Sequence, residues 1–170
     1  GSTDDTVAVC ERWNSHLTYC VSEKDRGQTH AINKGIEKAT GDLILVLNSD
    51  DMLLPGAFDA VAAEFEKRPD LRWLSGTSLL FGPGIYADIM PVITPERPVD
   101  WLLNNWCIAH PSTYLRREVI EKHGLYDESF YFTMDYEYWL RLAFGGERCH
   151  GIQRPLSGFR YHDQKIGRAS

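Results

Sequence analysis

Leu43-Ile44-Leu45-Val46-Leu47-Asn48-Ser49-Asp50-Asp51 is the stretch that decides the fold. Its run of large aliphatics, bounded by turn residues, reads as a strand buried on both faces of a parallel sheet. The two adjacent carboxylates fall at the strand's C-terminal end, where open α/β sheets place their ligands. Paired acids there suit a divalent cation held against phosphates, because Mg²⁺ takes few protein carboxylates and fills its other positions with phosphate and water. The same residues also read as a polar turn before a helix beginning near Pro55, with Asp side chains closing an Asx turn.

Working outward, helices and strands alternate. Thr3-Asp4-Asp5 marks a helix start, with the acids favoured by the helix dipole, and that helix runs to about Trp13. Leu17 to Ser22 reads as a short strand with Leu17, Tyr19 and Val21 on one face. A helix follows from about Thr29 to Ala39, with Ile32, Ile36 and Ala39 on one side and Gly41 as its stop. After the decisive strand, Pro55 suits a first helical turn, and Phe58, Val61, Ala62 and Phe65 give one apolar face. Pro69 ends that helix, and Leu71 to Phe81 contains a further strand. This order argues for an α/β fold with a mostly parallel sheet flanked by helices, in a single domain over 1–170. Residues 82–115 are rich in Gly and Pro and read as loops and short edge strands. Arg116 to His123 is a short helix stopped by Gly124. Met134 to Phe144 is a helix burying Trp139, Leu142 and Ala143. Gly151 to His162 is extended, and the last eight residues look unanchored.

Composition narrows the function. The chain has 170 residues, 43% of them hydrophobic, enough for one domain with a core. A formal net charge of −6 gives no general affinity for nucleic acid or anionic membrane. No apolar run is long enough to cross a bilayer. The four cysteines, Cys10, Cys20, Cys107 and Cys149, are scattered without CxxC spacing. They read as thiols in a reducing compartment, hence a cytoplasmic location, and not as a disulfide or zinc framework.

Several motifs come in a fixed order: Ser22-Glu23-Lys24-Asp25-Arg26-Gly27-Gln28, Ala31-Ile32-Asn33-Lys34-Gly35-Ile36, Ala39-Thr40-Gly41-Asp42 and Leu47-Asn48-Ser49-Asp50-Asp51. Further on come His110-Pro111-Ser112-Thr113, Gly124-Leu125-Tyr126-Asp127-Glu128 and Phe132-Thr133-Met134-Asp135-Tyr136-Glu137-Tyr138-Trp139. Together they resemble glycosyltransferase family 2, inverting enzymes of the GT-A fold, over nearly the whole chain. Gly1-Ser2-Thr3-Asp4-Asp5-Thr6 resembles the end of that family's Asp-Gly-Gly-Ser-Thr-Asp segment. The resemblance there implies a chain that begins inside the domain, after the family's first strands.

The resemblance implies transfer of a sugar from a nucleotide-sugar donor, UDP-linked by expectation, to a saccharide or lipid-linked hydroxyl. It implies Mg²⁺ or Mn²⁺ as cofactor. Asp51 is then the principal metal ligand, with Asp50 on the donor ribose or on the metal through water, and His162 completing the metal site. Ser49 stands where the family often has a further acid. Asp25, Gly27 and Gln28 would contact the nucleotide, although the same loop also reads as a plain turn into the next helix. Asp135 is the expected general base, a role that typically contributes about 10²–10⁴-fold in rate. Its place at a helix start also fits a purely structural acid, with Thr133 as N-cap, and Glu137 is the fallback base. Met134 stands where many relatives carry Glu. Lys34 could approach a phosphate but also reads as a solvated lysine, and Asn33 lies in the same helix. His110, Trp101 and Trp106 could line an acceptor pocket, or simply pack. Two rival readings are a nucleotidyltransferase and an inactive binding module of the same fold. Peripheral association with the inner face of a membrane stays open, as do the oligomeric state, the donor sugar and the acceptor.

Overall fold

The computed structural model describes residues 1–90, 99, 102, 103 and 108–163, apart from the side chains of 86–88. Trp101, Trp106, Cys107 and the tail 164–170 lie outside the described residues. The helices are α1 (Thr6–Arg12), α2 (Gln28–Lys38), α3 (Ala57–Lys67), α4 (Arg117–His123) and α5 (Met134–Phe144). The strands are β1 (Leu43–Leu45), β2 (Met52–Leu53), β3 (Trp73–Gly82), β4 (Ile85–Met90), β5 (Thr113–Arg116) and β6 (Cys149–Arg160). Short 3₁₀ turns cover Asn14–His16 and His110–Ser112.

One sheet runs in the order β1-β5-β3-β6-β2, with β4 also paired to β3. Its core follows the two-residue period of strands. Ile44, Trp73 and Leu115 face a cluster built with α2, α4 and α5. Their neighbours Leu43, Leu45, Leu74 and Tyr114 face the opposite cluster, where α3 contributes Ala57, Val61 and Phe65. The sheet is therefore covered on both sides, as an α/β fold requires. The α5 side is aromatic: Trp73 stacks on Trp139 at 5.4 Å and Tyr126 on Tyr138 at 4.3 Å.

The expected α/β class holds, but the pairing direction does not. Among the described strands only β3 and β6 run parallel; β1–β5, β2–β6, β3–β4 and β3–β5 are antiparallel. Nor is the decisive strand buried on both faces along its length. The ladder ends at Leu45, opposite Tyr114, one residue before β5 gives way to the 3₁₀ turn. Val46 is half-buried and Leu47 exposed. The strand expected at Leu17–Ser22 does not form, and Leu17, Tyr19 and Val21 are exposed despite their alternation. The first helix starts at Thr6 and not at Thr3. The α2 helix ends at Lys38, one residue before the expected Ala39, and Ala39, not Gly41, is its C-cap. Pro55 stays outside α3, whose N-cap is Gly56 at φ 75°, a conformation glycine adopts without a Cβ penalty. This start turns Ala57, Val61 and Phe65 inward and leaves Phe58 in water. The α4 and α5 helices and the long β6 fall where the sequence places them, α4 one residue later.

Polar groups knit the elements where hydrophobic packing stops. Ser78, Ser112 and Ser157 hydroxyls share buried hydrogen bonds of 2.6–2.9 Å, and Ser112 Oγ also donates to Thr77 O. These bonds fix the 3₁₀ turn that carries His110 against β3 and β6. Buried side-chain hydroxyls need such partners to offset their lost hydration.

Candidate active site

A cleft of about 810 Å³ opens between one face of α2, the end of β1, the end of β6 and the start of α5. Gln28, Asn48, Asp50, His110, Phe132, Asp135 and His162 are among its lining residues. Residues more than a hundred positions apart meet there because β6 carries its C-terminal end alongside β2, next to Asp50 and Asp51. His162 Nε2 lies 3.0 Å from Asp50 Oδ2. Asp51 is only 9% exposed, and its Oδ1 accepts a 3.0 Å bond from Arg160 N. Its own N–H donates to Asn48 O, closing the turn. The turn expected here forms, closed by the Asp51 backbone N–H and not by an Asp side chain, and Asp50 faces the cleft.

Gln28, the first residue of α2, donates from Nε2 to Asn48 Oδ1 at 2.8 Å. The loop before α2 is placed differently. Neither Asp25 nor Gly27 is among the cleft-lining residues, and Asp51 is not either. Asp25 pairs with Lys34 at 2.5 Å and with His30 at 3.1 Å, and the Lys34 ammonium holds its carboxyl below the usual aspartate range. Lys34 also pairs with Glu23, so it is not a freely solvated lysine. Asn33 is buried and brackets Tyr126 from both sides, donating to Tyr126 O at 2.9 Å and accepting from Tyr126 N at 3.1 Å.

The other wall comes from α5. Asp135 sits half-buried in its first turn, after Thr133, which occupies the N-cap position without a side-chain capping bond. Asp135 Oδ1 accepts from Tyr136 N at 2.8 Å. Glu137 is committed elsewhere: Arg141 binds its two oxygens at 2.8 and 2.7 Å and donates onward to His123 O and Leu125 O. His110 is buried, lies 3.2 Å from the Tyr126 hydroxyl, and meets Trp139 edge-on. Burial lowers its pKa below the ordinary imidazole value, against the opposing pull of the Asp135 and Asp51 carboxylates. His110 thus packs against Tyr126 and Trp139 and also lines the cleft.

Among the described residues, no three His, Cys, Asp or Glu side chains converge as a metal cage. In the cleft itself the Asp50 carboxylate meets the His162 imidazole, hard and borderline donors that fit Mg²⁺ or Mn²⁺ when phosphates and water supply the remaining positions, while Asp51 lies just behind them. Sequence reasoning gives no site role to Asn48 or Phe132, although both line the cleft. Asn48 reads as a turn residue, and Phe132 only opens the motif that leads to Asp135.

A family model described as glycosyl transferase family 2 matches residues 1–124. An uncharacterized glycosyltransferase of Mycobacterium tuberculosis is 31% identical over 147 residues, covering 84% of this chain and 54% of its own length. The UDP-Gal:alpha-D-GlcNAc-diphosphoundecaprenol beta-1,3-galactosyltransferase of Escherichia coli is 24% identical over 170 residues, covering 98% of this chain and 62% of its own. The chain thus spans little more than half the length of these relatives. Among solved structures, S. aureus TarS 1-349 in complex with UDP-GlcNAc superposes with a TM-score of 0.75 at 16% identity, covering 98% of this chain and 49% of that one. The mannosyltransferase PcManGT of Pyrobaculum calidifontis, in complex with GDP-Man and Mn2+, gives 0.68 at 17% identity, with 98% and 47% coverage. At these identities the likeness is one of fold.

Proposed function

The chain belongs to glycosyl transferase family 2 and has the GT-A type fold, and from this premise we propose that it serves a metal-dependent, inverting transfer of a sugar. The donor is a nucleoside diphosphate sugar, UDP-linked, and the acceptor is a saccharide or lipid-linked hydroxyl. The observation that carries this reading is the meeting of strand-end acids and a helix-borne acid in one cleft: Asp50 and His162 on one wall, Asp135 on the other. The UDP-Gal in the name of one relative and the UDP-GlcNAc bound to TarS support the choice of base. The diphosphoundecaprenol in that relative's name supports a lipid-linked acceptor.

In this reading Gln28 at the start of α2, with Asp25 and Gly27 before it, forms the nucleotide side. Asp50, Asp51 and His162 would hold Mg²⁺ or Mn²⁺. Bound there, the ion supplies positive charge to the diphosphate leaving group. Asp135 takes the proton from the acceptor hydroxyl. The freed oxygen attacks the anomeric carbon as the bond to the diphosphate breaks, and configuration inverts. Arg141 holds Glu137 as a structural acid, which leaves the base role to Asp135. Family membership sets aside the nucleotidyltransferase alternative. Among the described residues no helix is long and apolar enough to cross a membrane.

Replacing the proposed base separates chemistry from binding. Asp135→Asn is expected to slow sugar release from UDP-glucose, UDP-galactose or UDP-GlcNAc by about 10²–10⁴-fold while UDP affinity stays unchanged. Unslowed turnover would remove Asp135 from the base role. Nucleotide binding with no turnover in the unaltered chain would favour the inactive binding module.

A further inference from the structure

Three consecutive aromatics, Phe130, Tyr131 and Phe132, precede the proposed base and are all exposed. Tyr131 is 61% and Phe132 63% accessible, values far from those of the packed aromatics around Trp139. The loop that carries them is nevertheless tied down. Asp127 accepts from Ser129 N and Phe130 N, closing its first turn. Thr29 Oγ1 lies 3.3 Å from Phe130 O and 2.9 Å from Met134 Sδ. Arg26 pairs with Glu128 at 2.7 Å. A held backbone that turns large rings outward forgoes the gain of burying them, and exposed apolar surface beside a cleft marks a ligand site.

We propose that Phe132 is the stacking platform for the pyranose ring of the acceptor, with Tyr131 bracing it. The assignment rests on the transfer reading and names the acceptor side of that same site. Phe132 lines the cleft together with Met134 and Asp135. Tyr131 meets Phe132 edge-on, with centroids 4.7 Å apart and ring planes at 86°. A pyranose presents an apolar C–H face and a rim of hydroxyls. Its face suits the Phe132 ring, and its rim suits a carboxylate that accepts a proton. An aliphatic chain in this place would leave Asp135, Asp50 and His162 desolvated beside it without hydrogen bonds to replace water. The charged lining therefore favours a sugar over a lipid tail or the apolar face of a second protein.

Saturation-transfer NMR with methyl β-D-glucopyranoside as the probe tests the platform without turnover. The axial ring hydrogens are expected to take up saturation from the unaltered chain. Phe132→Ala should weaken that binding about tenfold, and Phe132→Trp should retain it. Sorbitol, which has the hydroxyls but no ring, should show none, and neither should 1,6-hexanediol. Absence of sugar saturation in the unaltered chain would overturn the proposal. So would equal saturation in folded Phe132→Ala, or equal saturation by either control. A parallel UDP titration reads the donor side separately. Sugar stacking without UDP binding would keep the platform and remove the transferase reading, whereas UDP binding without sugar stacking would do the reverse.

Discussion

The stretch from residue 22 to 53 and the stretch from 57 to 163 divide the work of this molecule unequally. The first carries most of the motifs, yet Ile36 and Ile44 are its only buried hydrophobic side chains. The later stretch, irregular in sequence, supplies nearly all of the core. What the first stretch buries is otherwise polar: Thr29, Asn33 and Asp51. Each of these bonds to the later stretch, at Met134, Tyr126 and Arg160 respectively. Motif residues here are thus held by packed elements through a few specific hydrogen bonds, which leaves Gln28 and Asp50 facing the cleft.

The comparison breaks first if the core of the later stretch is not the main source of stability. Trp139→Ala removes a ring stacked on Trp73 and is expected to cost about 3–5 kcal/mol in urea unfolding. A loss under about 1 kcal/mol would mean that stability resides elsewhere. A smaller effect sharpens the link between the stretches. Asn33→Ala leaves the buried N–H and C=O of Tyr126 without their partner and is expected to cost about 1–3 kcal/mol. Hydrogen exchange should then show α2 opening well before α5; simultaneous opening would contradict the two-part picture.

The smallest effect concerns charge inside the packed part. Glu147 is buried against Lys122, His123 and Arg72. Burial alone would raise its pKa, but the hydrogen bonds from Lys122 and His123 and the charge of Arg72 hold it below the usual glutamate value of 4.5. The unfolded chain then takes up its proton first as the pH falls. The stabilisation is present above pH 4.5 and is lost as pH drops through the folded-state value. Glu147→Gln should lower stability near neutrality and flatten the decline below pH 4.5. An unchanged acid profile would show that the cluster does not bear on folding.

The two stretches also differ in how much the sequence discloses. Periodicity places α5 at Met134–Phe144 and the stop of α4 at Gly124, because a helix face is written in residues three and four apart. Strand pairing depends on partners distant in sequence. Neither the antiparallel pairing of Leu43–Leu45 with β5 nor the parallel run of β3 with β6 could be read locally. The alternation of Leu17, Tyr19 and Val21 misleads for the same reason: alternation makes a strand only where a partner strand pairs with it. In the cleft, the strand end marked Asp50 and the family resemblance marked Asp135, His162 and Gln28, which the structure brings together. They did not reveal that Arg141 would engage Glu137, or that Lys34 would turn to Asp25, since ion pairing follows from distance in space.

The central claim is that the strand-end acids form a donor site, and calorimetric titration of this chain with UDP, in Mn²⁺ and then in EDTA, tests it most directly. The account predicts binding that requires the metal and is lost in Asp51→Ala. A folded chain that fails to bind UDP, or that binds it equally with and without Mn²⁺ and in the Asp51→Ala variant, would contradict it.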